Sequence, residues 1–338
     1  MRAVVLVGGQ GTRLRPLTET LKKELLPLVD RPILDYTLDR LVRHGVHEVV
    51  MSSPYLEETF HAFIQARHGD PRITWITETE PLDTGGAIVN ALQALDTDEP
   101  FLALNGDILT DLDLTRMVAL HRDRGAAATI ALARVEDARA YGLVTVDGDG
   151  RVAEFREKPE RLVPGDVNAG TYVLERTALE AWERGVSVSI ERTIFPTLID
   201  QGRPLFGFLT DAYWRDLGTP QAYLQATFDL LDGRVEGEPA FDAPFVADGG
   251  RIDEGADVGL HVVVGPGTSI ERGSSVNDSI LHGGVRVAGG ARVFGSVLGA
   301  GSEVLGARVS GSVLGEHVRV HPGADLVDAR VQPGTTVA

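Results

Sequence analysis

Near its N-terminus the chain reads Val4-Val5-Leu6-Val7-Gly8-Gly9-Gln10-Gly11-Thr12-Arg13-Leu14, an apolar run that passes directly into a glycine-rich segment. A short apolar run bounded by glycine predicts a buried β-strand. Glycine allows backbone N–H groups to approach phosphate oxygens closely, because it has no Cβ. The same glycines also suit an ordinary tight turn, which is what an isolated glycine cluster usually indicates. The segment therefore predicts either a phosphate-binding loop or a plain turn after the first strand.

Outward from this segment, residues 1–232 alternate strand-like and helix-like stretches. Helical spacing is clearest in residues 33–44, where apolar residues recur three or four positions apart until Gly45. The predicted strands are residues 4–7, 48–52, 73–77, 101–104 and 127–134, and a helix over residues 220–231 ends the region. This alternation predicts an α/β fold, with a Rossmann-like, mainly parallel sheet covered by helices on both faces.

Beyond residue 250 the apolar pattern has a different period. Apolar residues recur every six positions with some five-residue steps, at Ile252, Val258, Val264, Ile270, Val276, Leu281, Val287, Val293, Leu298, Val304, Val309, Leu314, Val320, Leu326, Val331 and Val337. Neither a half-buried strand nor an α-helix has this period. The spacing predicts a left-handed β-helix of hexapeptide repeats over residues 251–338, in which each turn stacks apolar residues inward. The shorter steps indicate irregular corners, and residues 233–250, with two prolines, are predicted to be a linker.

The bulk composition excludes several classes of function. The 338 residues include 32 Lys and Arg against 49 Asp and Glu, a formal net charge of −17. A chain this acidic is not attracted to nucleic acid or to anionic membranes, and no apolar run reaches the ~18 residues of a transmembrane helix. The absence of cysteine excludes disulfides and thiolate chemistry. The first apolar stretch is too short for a signal peptide, so we expect a cytoplasmic protein.

Two common phosphate-binding motifs do not match the glycine-rich segment. A dinucleotide fingerprint needs glycine where Leu14 stands, and a Walker A loop needs Gly-Lys-Ser/Thr where Thr12-Arg13 stands. The longer string Gly8-Gly9-Gln10-Gly11-Thr12-Arg13-Leu14-Arg15-Pro16-Leu17-Thr18 resembles the signature of the sugar nucleotidyltransferases. The second half of that signature, a lysine four residues before a proline, is present as Lys23-Glu24-Leu25-Leu26-Pro27, with Lys22 where the family usually has proline.

Further motifs of the same family follow in the expected order. They are Glu80-Pro81-Leu82-Asp83-Thr84-Gly85-Gly86, similar to the base-binding loop, Asn105-Gly106-Asp107, similar to the metal-binding Gly-Asp, and then Glu157-Lys158-Pro159, Asn168-Ala169-Gly170 and Trp214-Arg215-Asp216-Leu217-Gly218-Thr219-Pro220. The family usually has glycine at the position of Asp83. Aspartate tolerates left-handed backbone angles better than most residues, so we expect the loop to survive this change.

The resemblance implies that a sugar 1-phosphate attacks the α-phosphorus of a nucleoside triphosphate and that pyrophosphate leaves. The attacking phosphate is already ionised, so the reaction needs alignment and charge neutralisation rather than a general base. We expect Arg13 and Lys23 to be the catalytic cations at the triphosphate, because arginine can grip two phosphate oxygens and lysine acts as a point charge. Asp107 and Asp216 are expected to bind Mg²⁺, which takes carboxylate, phosphate and water oxygens.

The remaining site residues are assigned by the same resemblance. The nucleotide-binding residues are Leu6, Gly8, Gly9, Gly11, Thr12, Glu80, Pro81, Thr84 and Gly85, and the sugar-phosphate-binding residues are Gly142, Glu157, Lys158 and Asn168. Pro159 biases Lys158 towards an extended backbone, which projects its ammonium from a strand end. Simpler roles stay open: solvated surface charge for a cation, a helix N-cap for Asp107, and a turn before a helix for Asp216.

Three stretches are most similar to the mannose-1-phosphate guanylyltransferases, namely residues 136–144, 167–174 and 189–196. The resemblance therefore implies GTP and mannose 1-phosphate as substrates and GDP-mannose as product. Glucose-1-phosphate thymidylyl- or uridylyltransferase remains an alternative, as does a non-catalytic regulatory relative, although such a relative is expected to lose its charged site residues. Acyl transfer on the β-helix is a further alternative. We expect the β-helix to serve stability and homo-oligomeric assembly, since no assigned site residue lies beyond Asp216.

Overall fold

The structure is a computed structural model that describes residues 1–54, 57–67, 69–95 and 97–338. The chain forms two compact units. The first contains Met1–Gly8 and Asp35–Trp214, and the second contains Gly9–Leu34 and Arg215–Ala338. Most of the glycine-rich segment therefore shares a unit with the hexad repeats. The domain boundary near residue 232 stays a prediction.

The five predicted strands lie within two residues of their predicted bounds, and they are among the thirteen strands that the described residues form before the repeats. They are β1 (Arg2–Leu6), β2 (Pro27–Leu28), β3 (Arg31–Pro32), β4 (Glu48–Ser53), β5 (Arg72–Thr77), β6 (Phe101–Asn105), β7 (Ile108–Thr110), β8 (Ala128–Val135), β9 (Gly142–Val146), β10 (Val152–Glu157), β11 (Gly165–Leu174), β12 (Leu205–Thr210) and β13 (Trp214–Asp216). The helices are α1 (Ile33–Arg43), α2 (Glu57–Ala66), α3 (Asp83–Ala91), α4 (Leu114–Asp123), α5 (Phe195–Asp200) and α6 (Pro220–Leu231).

The first unit is built on a mixed nine-stranded sheet in the order β10-β9-β11-β6-β1-β4-β5, with β8 and β12 continuing from β11. Strands β6, β1, β4 and β5 run parallel, while β11 pairs antiparallel with both β6 and β8. The α/β prediction is confirmed, and a further parallel pair in this sheet is that of β12 with β8. Leu6 at the end of β1 pairs with Asn105 at the end of β6, so residues that follow these strands meet at one edge of the sheet.

The core of the first unit lies between this sheet and its helices. Ile88 and Val89 from α3, Leu198 from α5 and sheet residues such as Ala103 and Tyr172 belong to one buried cluster. Burial of this apolar surface stabilises the helix positions by roughly 25 cal/mol per Å². Helix α3 is thereby held with its N-terminal end, the predicted base-binding loop, against the sheet.

In the second unit, the repeats form a β-helix of three parallel sheets, as the spacing predicts. The first sheet contains β14 (Phe245–Val246), β17 (Val262–Val264), β20 (Ser279–Leu281), β23 (Val297–Leu298), β26 (Val313–Leu314) and β29 (Arg330–Val331). The second contains β15 (Arg251–Ile252), β18 (Ser269–Ile270), β21 (Arg286–Ala288), β24 (Glu303–Leu305), β27 (Arg319–Val320) and β30 (Thr336–Val337). The third contains β16 (Asp257–Val258), β19 (Ser275–Asn277), β22 (Arg292–Phe294), β25 (Arg308–Ser310) and β28 (Asp325–Val327). Strand β14 lies inside the predicted linker.

The strand registers confirm the apolar ladder. In the second sheet, Ile252 pairs with Ile270, Ile270 with Val287, and the series continues to Val337. The ladder residues share one apolar cluster. The five-residue steps each contain one residue with a left-handed φ between 46° and 57°, and these residues are Asp278, Gly295, Gly306, Gly311 and Asp328. Left-handed residues also stand in six-residue steps, among them Gly267, Gly284 and His317, so this conformation turns the chain at both kinds of corner.

No helix within the described part of the chain combines the length and the apolarity that a membrane crossing requires.

Candidate active site

The signature segment in the second unit is held by its own hydrogen bonds. Gly11 has a φ of 61° and precedes a 3₁₀ turn over Thr12–Leu14. Its carbonyl oxygen accepts hydrogen bonds from Leu14 N at 2.9 Å and from Thr18 Oγ1 at 2.7 Å. A Cβ at Gly11 lies 3.1 Å from Thr18 Cγ2. Glycine is therefore needed here both for the backbone angle and for the space.

The two halves of the signature meet in this unit. A Cβ added at Gly9 would lie only 2.9 Å from Lys23 Nζ. The ammonium group therefore lies directly against the glycine backbone. Lys23 is largely buried, and its Nζ lies 3.9 Å from Oε1 of the buried Glu24. Lys22, which replaces the usual proline, is also buried, and this burial lowers the pKa of its ammonium group. The structure thus places the ammonium group of Lys23 beside the glycine-rich segment.

Arg13 and Asp216 also lie together in the second unit. Arg13 Nη2 is 3.8 Å from Asp216 Oδ2, and the Arg13 side chain is 63% exposed. A Cβ added at Gly218 would lie 2.5 Å from Arg13 Nη2 and 3.0 Å from Asp216 Oδ1. Gly218 therefore provides the space that the guanidinium occupies. The exposed guanidinium has donors left for an incoming anion, because it carries five N–H groups.

Asp107 lies in the first unit, in the turn between β6 and β7. Gly106 N donates to Leu6 O at 2.9 Å, and a Cβ at Gly106 lies 3.0 Å from Val7 Cγ1. This close approach places the turn of Asp107 beside the end of β1, where Leu6 and Gly8 lie. Asp107 precedes a strand, so it does not cap a helix. Among the described residues, no group of three or more His, Asp and Glu side chains is placed to hold a metal ion.

The predicted base-binding loop is anchored to residues 186–194. Asp83 has a φ of 59°, which confirms that aspartate adopts the left-handed conformation where the family usually has glycine. Its Oδ2 accepts a hydrogen bond from Arg192 Nη2 at 2.7 Å. Thr84 Oγ1 donates to Glu191 Oε2 at 2.7 Å and accepts from Ile190 N at 3.2 Å. The loop is fixed on one side, while Glu80 and Pro81 remain exposed.

Gly85 and Gly86 allow this close packing. A Cβ at Gly85 lies 2.8 Å from Val188 O, and one at Gly86 lies 2.5 Å from Val186 O. Gly86 N donates to Val188 O at 2.9 Å. Any larger residue at either position pushes the start of α3 away from the 186–194 segment.

The predicted sugar-phosphate residues lie around the β9–β10 hairpin in the first unit. A Cβ placed at Gly142 would lie 2.6 Å from Phe155 Cζ and 3.0 Å from Glu157 Oε2, so glycine makes room for the Phe155 ring and for this carboxylate. Lys158 Nζ is 3.4 Å from Glu157 Oε1, and the Lys158 side chain is 64% exposed. Gly142, Glu157 and Lys158 are thus brought together at one end of the hairpin.

The predicted extended backbone of Lys158 is wrong. Its φ is 46°, which is left-handed. Lys158 N donates to Tyr141 O at 3.0 Å, just outside the Glu157–Gly142 pair of the antiparallel ladder. This hydrogen bond extends the hairpin by one residue and outweighs the bias from Pro159. The ammonium still projects from the strand end.

Asn168 lies at the irregular pairing in β11, and its amide has structural duties. Its Oδ1 accepts from Gly170 N at 2.9 Å, and its Nδ2 donates to Tyr172 Oη at 2.8 Å. Burial raises the pKa of the Tyr172 hydroxyl well above its usual value, and the charge of Glu191 acts in the same direction. One Nδ2 proton of Asn168 is left for a further acceptor.

Two carboxylates near the base-binding loop were not assigned roles from the sequence. Glu191 stands inside a recognised motif, but its contact with Thr84, 107 positions away, leaves no sequence signal. Glu78 is buried, accepts from Ser52 Oγ at 2.8 Å and from Leu82 N at 3.2 Å, and its pKa is raised by burial. Only its position just before the loop hinted at a role in holding the loop.

These features define a phosphate-handling α/β enzyme with a C-terminal β-helix, and comparisons with known proteins agree. Residues 2–233 match the family model described as "Nucleotidyl transferase", and residues 242–338 match one described as "GMPPB C-terminal domain". The chain belongs to the nucleotidyl transferase family and is a nucleotidyltransferase, as the signature predicted.

Relatives match over most of the chain. A mannose-1-phosphate guanylyltransferase of Mycobacterium tuberculosis is 37% identical over 298 residues, covering 85% of this chain and 81% of the relative. A UTP–glucose-1-phosphate uridylyltransferase of Synechocystis is 30% identical over 349 residues, covering 98% of this chain and 87% of the relative. The crystal structure of HddC from Yersinia pseudotuberculosis complexed with GMP-PN has a TM-score of 0.59 and 29% identity, covering 68% of this chain and 98% of that chain.

Proposed function

We propose that this nucleotidyltransferase uses GTP and mannose 1-phosphate and produces GDP-mannose and pyrophosphate. The observation that carries the proposal is the assembly of the signature, in which Lys23 rests on Gly9 and Arg13 lies beside Asp216. The choice of GTP and mannose rests on the similarity to the Mycobacterium tuberculosis enzyme over 85% of this chain.

In this proposal the signature segment handles the triphosphate. The backbone of Gly8, Gly9, Gly11 and Thr12 approaches the phosphates, because none of the glycines carries a side chain. Lys23 supplies a partly desolvated point charge, and Arg13 supplies a planar fork that spans two oxygens. An oxygen of the sugar phosphate attacks the α-phosphorus, and the bond from that phosphorus to the pyrophosphate oxygen breaks. Arg13 and Lys23 neutralise the charge that develops on the leaving pyrophosphate.

We assign the sugar phosphate to Lys158, with Glu157 accepting hydrogen bonds from sugar hydroxyls and Asn168 donating one. The exposed ammonium of Lys158 is accessible to a phosphate, and Glu157 Oε1 at 3.4 Å limits its direction. We assign the base to Leu6 at the end of β1 and to Glu80, Pro81, Thr84 and Gly85 of the loop that Glu191 holds.

Enzymes of this family use a divalent metal, and we propose Mg²⁺ with Asp107 and Asp216 as its protein ligands. Carboxylate oxygens are the donors that Mg²⁺ prefers, and two of them leave coordination positions for phosphate and water. The ion would screen the charge of the phosphates. Asp216 already faces the guanidinium of Arg13, so a cation there competes with Arg13 for the carboxylate.

The proposal also covers the cellular compartment and the oligomeric state. We infer a cytoplasmic homo-oligomer with closed symmetry, in which the ends of the β-helix are covered. Size-exclusion chromatography with light scattering gives the number of subunits, and a monomer at assay concentration contradicts the inference.

A panel of nucleotides tests the specificity. GTP, dTTP, UTP, ATP and CTP are each combined with mannose and glucose 1-phosphates, and pyrophosphate release is recorded. GTP with mannose 1-phosphate should give the highest kcat/KM. The second candidate, uridylyl transfer to glucose 1-phosphate, is favoured by the Synechocystis relative, which matches 98% of this chain. Preference for UTP with glucose 1-phosphate selects that candidate, and no turnover with any pair contradicts both.

A further inference from the structure

Arg330 in the last strand of the first β-helix sheet binds the backbone of the signature segment. Its Nη1 donates to Arg13 O at 2.7 Å and to Arg15 O at 2.6 Å. All three residues belong to the second unit, and more than 300 positions separate Arg330 from either partner. The β-helix therefore contacts the residue to which the chemistry is assigned.

The two carbonyl groups lie at the end of the 3₁₀ turn over Thr12–Leu14. Within the turn, Leu14 N bonds to Gly11 O and Arg15 N to Thr12 O. These bonds use the carbonyls at the start of the turn. The last carbonyls of a helical turn need a donor from outside, and an arginine is well suited because its charge also favours that end. Arg330 supplies two N–H groups from one nitrogen, one to each carbonyl.

The same turn carries the side chain of Arg13. The Arg13 side chain is 63% exposed, so little packing restricts its rotation. Its direction depends on where the backbone holds its Cα and on the contacts with Asp216 and Gly218. A backbone that shifts by an ångström moves the guanidinium out of alignment, which lowers the rate more than the affinity.

Other contacts in the second unit join residues 27–31 to α6, to the predicted linker and to the β-helix, and these contacts do not involve Arg13. Arg31 Nη2 donates to Glu238 Oε2 at 2.7 Å, and Tyr223 Oη donates to Pro27 O and lies 3.2 Å from His282 Nε2. These contacts fix residues 27–31. Arg330 donates to the 3₁₀ turn itself, so the effect of replacing it is expected to be local.

We propose that Arg330 is a positioning residue for nucleotidyl transfer, which holds the 3₁₀ turn so that Arg13 stays directed at the triphosphate. This proposal rests on the proposed function for its kinetic part and on the hydrogen bonds alone for its structural part. It gives the β-helix a part in activity, in addition to the assembly and stability expected from the sequence.

The variants Arg330→Ala and Arg330→Lys are compared with Arg319→Ala. Arg319 is an exposed β-helix arginine in β27 whose guanidinium donates hydrogen bonds to Glu303. Hydrogen–deuterium exchange of peptides covering residues 10–17 is measured on the full chain without nucleotide. Arg330→Ala should speed exchange at Leu14 and Arg15 about tenfold, Arg330→Lys less, and Arg319→Ala not at all. Unchanged exchange in Arg330→Ala overturns the proposal, whatever reaction the enzyme catalyses.

Steady-state kinetics on the same variants give the second readout. Arg330→Ala should lower kcat about tenfold and change the KM for the sugar phosphate by less than about twofold, with partial recovery in Arg330→Lys. The thermal midpoints of all three variants should stay within about 2 °C of the wild type, because Arg330 is exposed. Equal losses in Arg330→Ala and Arg319→Ala, or a kcat that is unchanged by Arg330→Ala, contradict the positioning role. If the wild type transfers a nucleotide other than GMP, the same comparison is made with that nucleotide.

Discussion

Glu191 Oε2 accepts a hydrogen bond from Thr84 Oγ1 at 2.7 Å and a second one from Ser189 Oγ at 3.0 Å. One carboxylate oxygen thereby joins the start of α3 to the π-helical turn over Ile190–Ile194. The neighbouring Arg192–Asp83 pair makes a parallel connection. The base-binding loop is therefore held by contacts behind it, which leaves its exposed side available to a ligand.

Replacing Glu191 with glutamine should weaken nucleotide use specifically. The substitution replaces a charge-assisted hydrogen bond by a weaker neutral one, a loss of about 1–2 kcal/mol. We expect the nucleotide KM to rise roughly tenfold while kcat changes less than about threefold. Initial-rate kinetics against each substrate measure this, with Glu183→Gln, at an exposed position, as the control. A rise in the sugar-phosphate KM alone contradicts the assignment.

An added methyl group at Gly218 should displace the Arg13 guanidinium. The Cβ lies 2.5 Å from Arg13 Nη2, and the exposed side chain can swing away without disturbing the core. Gly218→Ala should therefore lower kcat by about 10- to 100-fold and shift the thermal midpoint by less than about 2 °C. Gly148→Ala is the control, because a Cβ there meets nothing within 4 Å. Full activity in Gly218→Ala would falsify the role of Arg13.

Removing either proposed metal ligand should abolish most turnover. Asp107→Asn and Asp216→Asn each take one charge from a two-carboxylate site, at a cost of several kcal/mol in transition-state stabilisation, or about 10²–10³ in kcat. The Mg²⁺ concentration for half-maximal rate should also increase. Rates are measured over a Mg²⁺ titration, with the exposed Asp149→Asn as control. Near-normal rates for both variants at limiting Mg²⁺ rule out the metal assignment.

Replacing Lys158 and replacing Arg13 with alanine should change different kinetic constants. Lys158→Ala should raise the sugar-phosphate KM about tenfold more than the nucleotide KM, because its ammonium is assigned to the sugar phosphate. Arg13→Ala should lower kcat and impair nucleotide use together. Arg161→Ala, at an exposed position three residues beyond Lys158, controls for surface charge. Equal effects of Lys158→Ala on both KM values remove the distinction.

The fold could be predicted best in the β-helix, where the same structural unit repeats from one coil to the next. The hexad ladder could be read directly, because each coil places the same apolar position inward and pairs, for example, Ile270 with Val287. Strand β1 and its loop were readable for a similar reason, since the strand residues are apolar and the glycines have a local function. The left-handed angle of Asp83 also followed from a local preference.

Contacts between distant residues could not be predicted from the sequence. The Thr84–Glu191 hydrogen bond spans 107 positions and the Arg31–Glu238 pair spans 207, and neither partner differs from an ordinary polar residue by itself. The backbone of Lys158 was predicted wrongly because the hydrogen bond from its N–H to Tyr141 outweighs the local effect of Pro159. Tertiary hydrogen bonds decided these positions.

Acid should destabilise the second unit through His282, which is buried against Tyr223. Burial lowers the pKa of the His282 imidazole to about 4, from an ordinary value of 6.5. The unfolded chain therefore binds a proton near pH 6.5 that the folded chain binds only near pH 4. The contribution of the neutral His282 to the free energy of unfolding is fully present above pH 6.5 and decreases as the pH falls towards 4. Below pH 4 this group causes no further change. The total loss of unfolding free energy through His282 is on the order of 3 kcal/mol.

The thermal midpoint is measured from pH 7.5 to about pH 4 for the wild type, His282→Gln and His321→Gln. The amide of the substituted glutamine cannot take up a proton in this range, so the decline of the midpoint with falling pH should be shallower in His282→Gln than in the wild type. His321, on the same β-helix but less buried, serves as the matched control, and its variant should follow the wild-type curve. Parallel curves for the wild type and His282→Gln show that His282 is not the group through which acid acts.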